Sequence, residues 1–431
     1  VAFLLSRFFA PPVSYFFAQF VARSLSLMAI LHPFRVLRPR PDLAAAVASV
    51  PYDVINTDEA RTLAAGNPHS FLHIIRPEID LPAGTDEHDD AVYARGAANL
   101  QAYAESDAAV RDTEPSLYVY RLVMNGRAQT GVYGCVSVAD YDDDTILKHE
   151  KTRPDKEADR TRHILEQHAH AEPVMLTFRD SPAVQAGMAS ACAGTPLYDF
   201  TAPDGVRHTV WTVPDVDALV QAFARVPKFY VADGHHRCKA ASLAAADIEA
   251  RGGASTDEHF YFPAVLFPMK EMAILAYNRI VYRLGMAPSA FLDRLAAVMP
   301  LRPAPSPTPT EPGRACLYLA GTWHELTLPA TRRPTVTDTL DVARLGEHIL
   351  EPILGIGDPR TDPNLYFVGG IRGTAELERL VDSGKAALAF SMYPTSVAEL
   401  LAVSDAGLLM PPKSTWFEPK LRSGLLVHLF D

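Results

Sequence analysis

The stretch "YVADGHHRCKA", residues 230–240, sets Asp233, Gly234, His235, His236 and Arg237 side by side between an apolar run and an alanine-rich one. No packing rule asks for such a run. If it joins a strand to a helix, the first helical turn offers unpartnered backbone N–H groups and a partial positive charge, which together bind anions. Gly234 then permits close backbone approach, while His235, His236 and Arg237 add donors suited to phosphate. Asp233 repels an anion, so its tasks are to orient a histidine, to accept from a substrate group, or to help hold a divalent cation. Two other readings compete: a polar turn capped by Asp233, and a zinc site of His235, His236 and Cys238, whose adjacent histidines diverge and which has no evident remote ligands.

Two further segments carry chemistry-bearing side chains. In "KHEKTRPDKEADR" Glu150 sits just before an expected helix and between cations, where a carboxylate can be kept ionised and aimed, as a general base must be. A charge run of this kind also serves as a solvated helix face. In "MPPKSTWFEPK" a double proline fixes the backbone ahead of Lys413, Ser414 and Thr415, a group able to bind phosphate oxygens or simply to cap a turn. It lacks the glycines of a P-loop, and no GxxxxGK[ST] occurs in the chain.

The elements that must position these residues follow from hydrophobic periodicity. "PDLAAAVASV" and "AVYARGAANLQAYAES" read as helices; "SFLHIIRP", "SLYVYRLVMN" and "GVYGCVSVADY" read as strands, the last two joined by "GRAQT" as a hairpin. Thr152 and Asp155 form a capping box around Pro154, opening a helix to about His168 that aligns Lys156, Arg160 and His163 on one basic face. "KFYVA" is a short buried strand and "CKAASLAAADIEAR" a helix, so the DGHHR loop falls where an anion site requires it. "FYFPAVLFP" and "EMAILAYNRIVYRL" come next as strands, "LRPAPSPTPTEPG" as an exposed extended connector, and Cys316–Leu328 as a hairpin. The last block alternates strand and helix through "NLYFVGG", "TAELERLVDSG", "AALAFSMYP" and "SVAELLAVSDAG". The fold class is α+β, or mixed α/β.

Composition bounds the function. The chain has 431 residues, and 40 Lys and Arg against 51 Asp and Glu leave a net charge of −11, which argues against a nucleic-acid coat protein. The four cysteines, Cys135, Cys192, Cys238 and Cys316, lie far apart without a CxxC pair, so neither a disulfide framework nor a zinc ribbon is expected, and a reducing cytoplasm fits. Residues 1–27 are apolar and aromatic, but Arg7, Arg23, Pro11 and Pro12 interrupt any membrane span. They are expected to be a non-native or disordered extension ahead of Met28, with no membrane partner.

Taken together, "PFRVLRP", "PYDVI", "NPHSFLHIIRPEID", "TGVYG", "KHEKTRPDKEADR", "ADGHHR" and "MPPKSTWFEPK" resemble the successive landmarks of the domain-of-unknown-function family 1015, over nearly all of residues 33–424. A more distant resemblance links the His-Glu motif, the strand–DGHHR–helix unit and the late "YPTSVAELLAVSDAG" run into Pro-Lys-Ser-Thr with the free L-serine kinases. Those enzymes have a ParB/sulfiredoxin-like fold and phosphorylate free serine from ADP or ATP. The resemblance implies Glu150 as general base, with Asp233 and His236 beside it in the catalytic set. It implies phosphate contacts by Gly234, His235, Arg237, Lys413, Ser414 and Thr415, and Mg²⁺ bridging the phosphates and touching Asp233. His149, Arg160 and Arg162 are assigned to the side of a free amino-acid substrate, whose carboxylate wants a guanidinium.

Implied with it are a region of residues 28–145, a catalytic core of 146–290, an insertion of 291–363 and a C-terminal segment of 364–431 that completes the pocket. The chain departs from the smaller kinases in its long N-terminal region, in that insertion, and in carrying Trp416 and Phe417 after the lysine motif. The competing classes are a ParB-like nucleotide-binding regulatory module, which would want a helix-turn-helix downstream, and a sulfiredoxin-like transfer, which would want a cysteine where His235 stands. Oligomeric state is left open.

Overall fold

The aromatic and β-branched runs build a nine-stranded mixed sheet. The computed structural model describes residues 29–333 and 335–430, so the expected extension over residues 1–27 lies outside the described residues. Across the sheet the strands run Ile146–Leu147, Phe229–Asp233, Val174–Phe178, Tyr261–Pro268, Arg127–Ser137, Tyr118–Met124, Arg207–Thr212 and Tyr198–Thr201, with Leu31–His32 pairing on Arg127–Ser137. A six-stranded antiparallel sheet takes Leu301–Pro303, Thr322–Thr327, Arg314–Leu319, Leu388–Met392, Tyr277–Val281 and Leu365–Gly369 in that order. A four-stranded sheet ties Val36–Pro39 to Val427–Leu429, so the two ends of the described chain meet. The chain is therefore mixed α/β.

Two pairings place the site. Ile146–Leu147 runs parallel to Phe229–Asp233, with Ile146 opposite Phe229 and Leu147 opposite Tyr230. Both strands therefore release their C-terminal ends at the same edge, the position at which α/β sheets hold ligands. On its other side Phe229–Asp233 pairs antiparallel with Val174–Phe178, and the register slips between Val231 and Asp233. Such a bulge bends the strand end and re-aims the Gly234 turn beyond it.

Several local expectations changed on folding. "SFLHIIRP" is not a strand: Leu72–Ile75 is a short helix and Pro77–Asp80 a 3₁₀ turn. Leu72, Ile74 and Ile75 are all buried, and periodicity does not separate a short buried helix from a buried strand. The strand through "GVYGCVSVADY" ends at Ser137, whose hydroxyl caps the helix Val138–Asp142 by accepting from the Ala139 N–H. No Thr152 box forms, because Arg153 is the N-cap of the helix Pro154–Gln167 and its guanidinium takes both oxygens of Asp155, at 3.2 and 2.7 Å. The stretch 291–363 supplies strands to the same sheet as residues 365–369 and 388–392.

Candidate functional site

Gly234 is the N-cap of the helix His235–Ala250, with φ +100°. An added Cβ would stand 3.1 Å from both Arg237 Nε and Val174 Cγ1. The glycine is thus required by its backbone conformation and by what packs over it. The amides of the first helical turn have no acceptor within the helix, which is the arrangement that suits an anion at a helix start.

The rings of the two histidines turn toward the neighbouring strand end. The backbone N–H of His149 donates to His235 Nε2 at 3.4 Å, and that of Arg153 donates to His236 Nε2 at 3.1 Å. His149 and His235 pack edge to face with ring centroids 4.4 Å apart. Burial pushes both down to about 3; Arg237 and Lys148 lower His235 further, and His235 lowers His149, which favours the neutral form of each. Burial also lowers His236. These imidazoles clamp residues 149–153, and Glu150 is left half-buried between them at the rim.

Asp233 is not free to face a cation from solution. Its Oδ2 accepts from Arg237 at 2.9 Å and its Oδ1 from Lys420 at 3.0 Å. Burial alone would raise its pKa; Lys420 and Arg237 overcome that and hold the carboxyl well below its usual range. The expected Mg²⁺ contact at Asp233 would therefore have to displace one of two cations. Arg237 is likewise engaged inward: one arm reaches the Pro173 carbonyl, the other Asp233, and the guanidinium is buried. Against burial, Asp53, Asp233 and Glu172 hold it firmly protonated.

The third segment is tied to the first two through its backbone. The Met410 N–H donates to the His149 carbonyl at 2.8 Å, and His149 Nε2 lies 3.4 Å from Thr415 Oγ1. Ser414 is buried and spends its hydroxyl on the Pro411 carbonyl at 2.6 Å, so it shapes the turn. Lys413 adopts φ +56°, a left-handed conformation rare outside glycine, and its carbonyl accepts from Arg279 at 3.1 Å. The residue is exposed as a whole, but its ammonium folds back to 5.7 Å from the centroid of the Tyr277 ring. Burial would lower it; Tyr277, Glu150 and Asp53 raise it, so both carboxylates lie within electrostatic reach of the ammonium.

The substrate-side residues separate. His149 is fully inside. Arg160 is buried, stacks 4.0 Å from the centroid of Tyr52, pairs with Asp159 at 2.8 Å and approaches Glu172 at 3.8 Å. It lines two cavities, one shared with His170, Glu172 and Arg237, the other opening among Tyr52, Arg76 and Lys156. Arg162 does not join them: it pairs with Asp90 at 2.7 Å and covers Tyr93 on the far helix face. Reading by motif missed Lys420 and Glu172. Lys420 ends the quoted "MPPKSTWFEPK", and only its ion pair with Asp233 reveals its part; Glu172 carries no local signal.

All four cysteines are free thiols, and burial pushes Cys238 up to about 12, which disfavours its thiolate as a nucleophile. Among the described residues no helix is long and apolar enough to cross a membrane.

Residues 31–343 match the model of a family described as "Protein of unknown function (DUF1015)". No curated protein matches the sequence. Solved structures with loose similarity include a free serine kinase in complex with AMP, 10% identical over 68% of this chain and 91% of that one, TM-score 0.35. A conserved hypothetical protein from Pyrococcus furiosus is 12% identical over 68% and 94%, TM-score 0.33. SbnI from Staphylococcus aureus, truncated at its C-terminus, is 15% identical over 69% and 87%, TM-score 0.37. Likenesses this loose carry no weight for fold or chemistry.

Proposed function

The chain belongs to the DUF1015 family of proteins of unknown function, and we propose that it is a phosphotransferase moving phosphate from ATP or ADP to the hydroxyl of a small molecule, free L-serine before others. One observation carries this reading: the half-buried Glu150 and the Lys413 ammonium flank a glycine-started helix N-terminus at adjacent parallel strand ends. Phosphoryl transfer asks a protein to place acceptor, phosphorus and leaving oxygen in line and to neutralise the phosphoryl oxygens. The first-turn amides after Gly234 and the Lys413 ammonium would hold the donor's phosphates. Glu150, fixed by the histidine clamp, would take the proton of the acceptor hydroxyl. Mg²⁺ carried on those phosphates would supply further neutralisation of charge, with Asp233 already occupied by Arg237 and Lys420. Arg160 would stand behind the acceptor, in the cavity it shares with Glu172 and Arg237.

The test is phosphotransfer by the full chain with Mg²⁺, ATP or ADP, and a panel of free amino acids and small alcohols, followed by phosphorus NMR. Phosphoserine is expected from the wild type. Glu150→Gln should lose about 10² to 10⁴ in rate, the usual worth of a general base, while binding nucleotide as before. Normal turnover by that variant would remove Glu150 as the base. Tight nucleotide binding with no acceptor phosphorylated would replace the kinase by a nucleotide-binding regulatory module.

A further inference from the structure

We propose that His149, Glu150 and His235 form a binding site for a divalent transition-metal ion, Zn²⁺ in the first place. One ring nitrogen of each histidine and one carboxylate oxygen of Glu150 lie within 4.8 Å of one another, with both histidines buried. Ligand atoms about 2.0–2.2 Å from a tetrahedral ion stand about 3.4 Å apart, so atoms up to 4.8 Å apart must draw together to share a centre. The residues come from the two adjacent parallel strand ends, His149 and Glu150 in the loop after Ile146–Leu147 and His235 in the first turn after Gly234.

A second observation points to a missing partner. His149 Nδ1 is sealed from solvent and makes no well-formed hydrogen bond, although the Val231 backbone lies close enough to favour the charged form of the ring. Its other nitrogen has Thr415 Oγ1 at 3.4 Å, and His235 Nε2 receives only the long contact from the His149 amide. A metal ion on His235 Nε2 would take the lone pair that now accepts the His149 N–H, so binding would exchange that long hydrogen bond for a coordination bond.

The donor set selects the ion. Two imidazoles and one carboxylate suit Zn²⁺, or Mn²⁺ and Fe²⁺, whereas Mg²⁺ and Ca²⁺ want oxygen. Three protein ligands also leave a position open for water or a phosphate oxygen. The zinc grouping expected from adjacency, with His236 and Cys238, does not form: Cys238 lies in the hydrophobic core and the His236 ring accepts from Arg153. The site goes beyond the phosphotransfer reading and does not rest on it. An ion there would occupy the Glu150 oxygen only in the nucleotide-free protein and would have to leave before that carboxylate accepts a proton.

The experiment is a nucleotide-free titration of the chelator-treated full chain with Zn²⁺ by calorimetry, and with Co²⁺ by visible absorption. One ion per chain is expected, with a rise in melting temperature that grows with free Zn²⁺ and is not reproduced by Mg²⁺. Glu150→Gln keeps the shape of a half-buried side chain and serves where His235→Ala fails to fold. Each should weaken Zn²⁺ binding by more than the about 10–100-fold that loss of an outer-shell partner costs. Absence of binding by the wild type would overturn the site. So would affinity unchanged in both variants, which would move the ion to another cluster, such as His32, Glu258 and His428.

Discussion

Replacing Lys420 by Met tests whether the interior of the phosphate loop is held together by charge. The Lys420 ammonium lies 3.0 Å from Asp233 Oδ1, with the two side chains 14% and 25% exposed. At an effective dielectric of about 20, Coulomb attraction at that separation is about 5 kcal/mol, most of which desolvation offsets. Hydrogen bonds to charged groups contribute about 1.5–3 kcal/mol net. Arg237 keeps its own bond to the second oxygen, and water reaches the exposed part of Asp233, so about 2 kcal/mol is expected from the lower half of that range. Met retains a stem to cover Trp416, whose ring centroid is 5.1 Å from the ammonium. The signs also fix a pH window. Asp233 is depressed, so its contribution is complete above its unfolded pKa of about 3.9 and is lost as pH falls through the lower folded value; Lys420 is raised, so its contribution is complete below about 10.4 and is lost above it. Urea denaturation of wild type, Lys420→Met, Asp233→Asn and the double variant at pH 7 should therefore give a coupling of about 2 kcal/mol, roughly a 30-fold change in the folding equilibrium. Additive single losses would refute the argument, as would a Lys420→Met protein as stable as its parent.

The same geometry sets two further outcomes. Gly234→Ala forces a side chain into φ +100° and against Arg237 and Val174, at a cost of about 1–3 kcal/mol, and should weaken ADP binding at least about tenfold by calorimetry. Gly205→Ala, with φ +82° and nothing within 4 Å of the added atom, should lose stability alone. Glu258 bridges His32 at 3.4 Å and His428 at 2.8 Å; against burial, those bonds hold it down to about 2. Its stabilisation is present above about pH 4.3 and lost as pH falls toward 2, so denaturation midpoints of wild type should drop more steeply over that interval than those of Glu258→Gln.

Legible along the chain was whatever has a local cause. The strand "KFYVA", the helix after DGHHR and the helix ending near His168 are short-range patterns, and Phe229–Asp233, His235–Ala250 and Pro154–Gln167 are where those patterns put them. The order of the three motifs was legible too, but not who would hold whom. That His235 and His236 accept from the backbone at residues 149 and 153 depends on a parallel pairing more than 80 residues distant, which no local periodicity encodes. Lys420 looked like one more polar residue after a proline. Glu172 stands in "HAEPV" with nothing beside it to signal that Ser423, Tyr52 and Arg160 converge on it.

If this acidic chain binds an anion, as proposed, it must solve the problem locally, and the placement of countercharges indicates how. Lys420 and Arg237 are both turned onto Asp233, and Arg237 also onto the Pro173 carbonyl, so their charge is compensated before any ligand arrives. Arg160 is balanced by Asp159 in the same way. The helix start and Lys413 are different in kind: the first-turn amides carry only partial charge and no acceptor within the helix, and Lys413 is held charged by a raised pKa. The buried ion pairs thus act as scaffolding that holds Gly234 and the helix N-terminus in register with Glu150. On the proposed function, phosphate recognition would fall to groups that carry no competing carboxylate hydrogen bond among the described residues, which would reconcile a net charge of −11 with an anionic ligand.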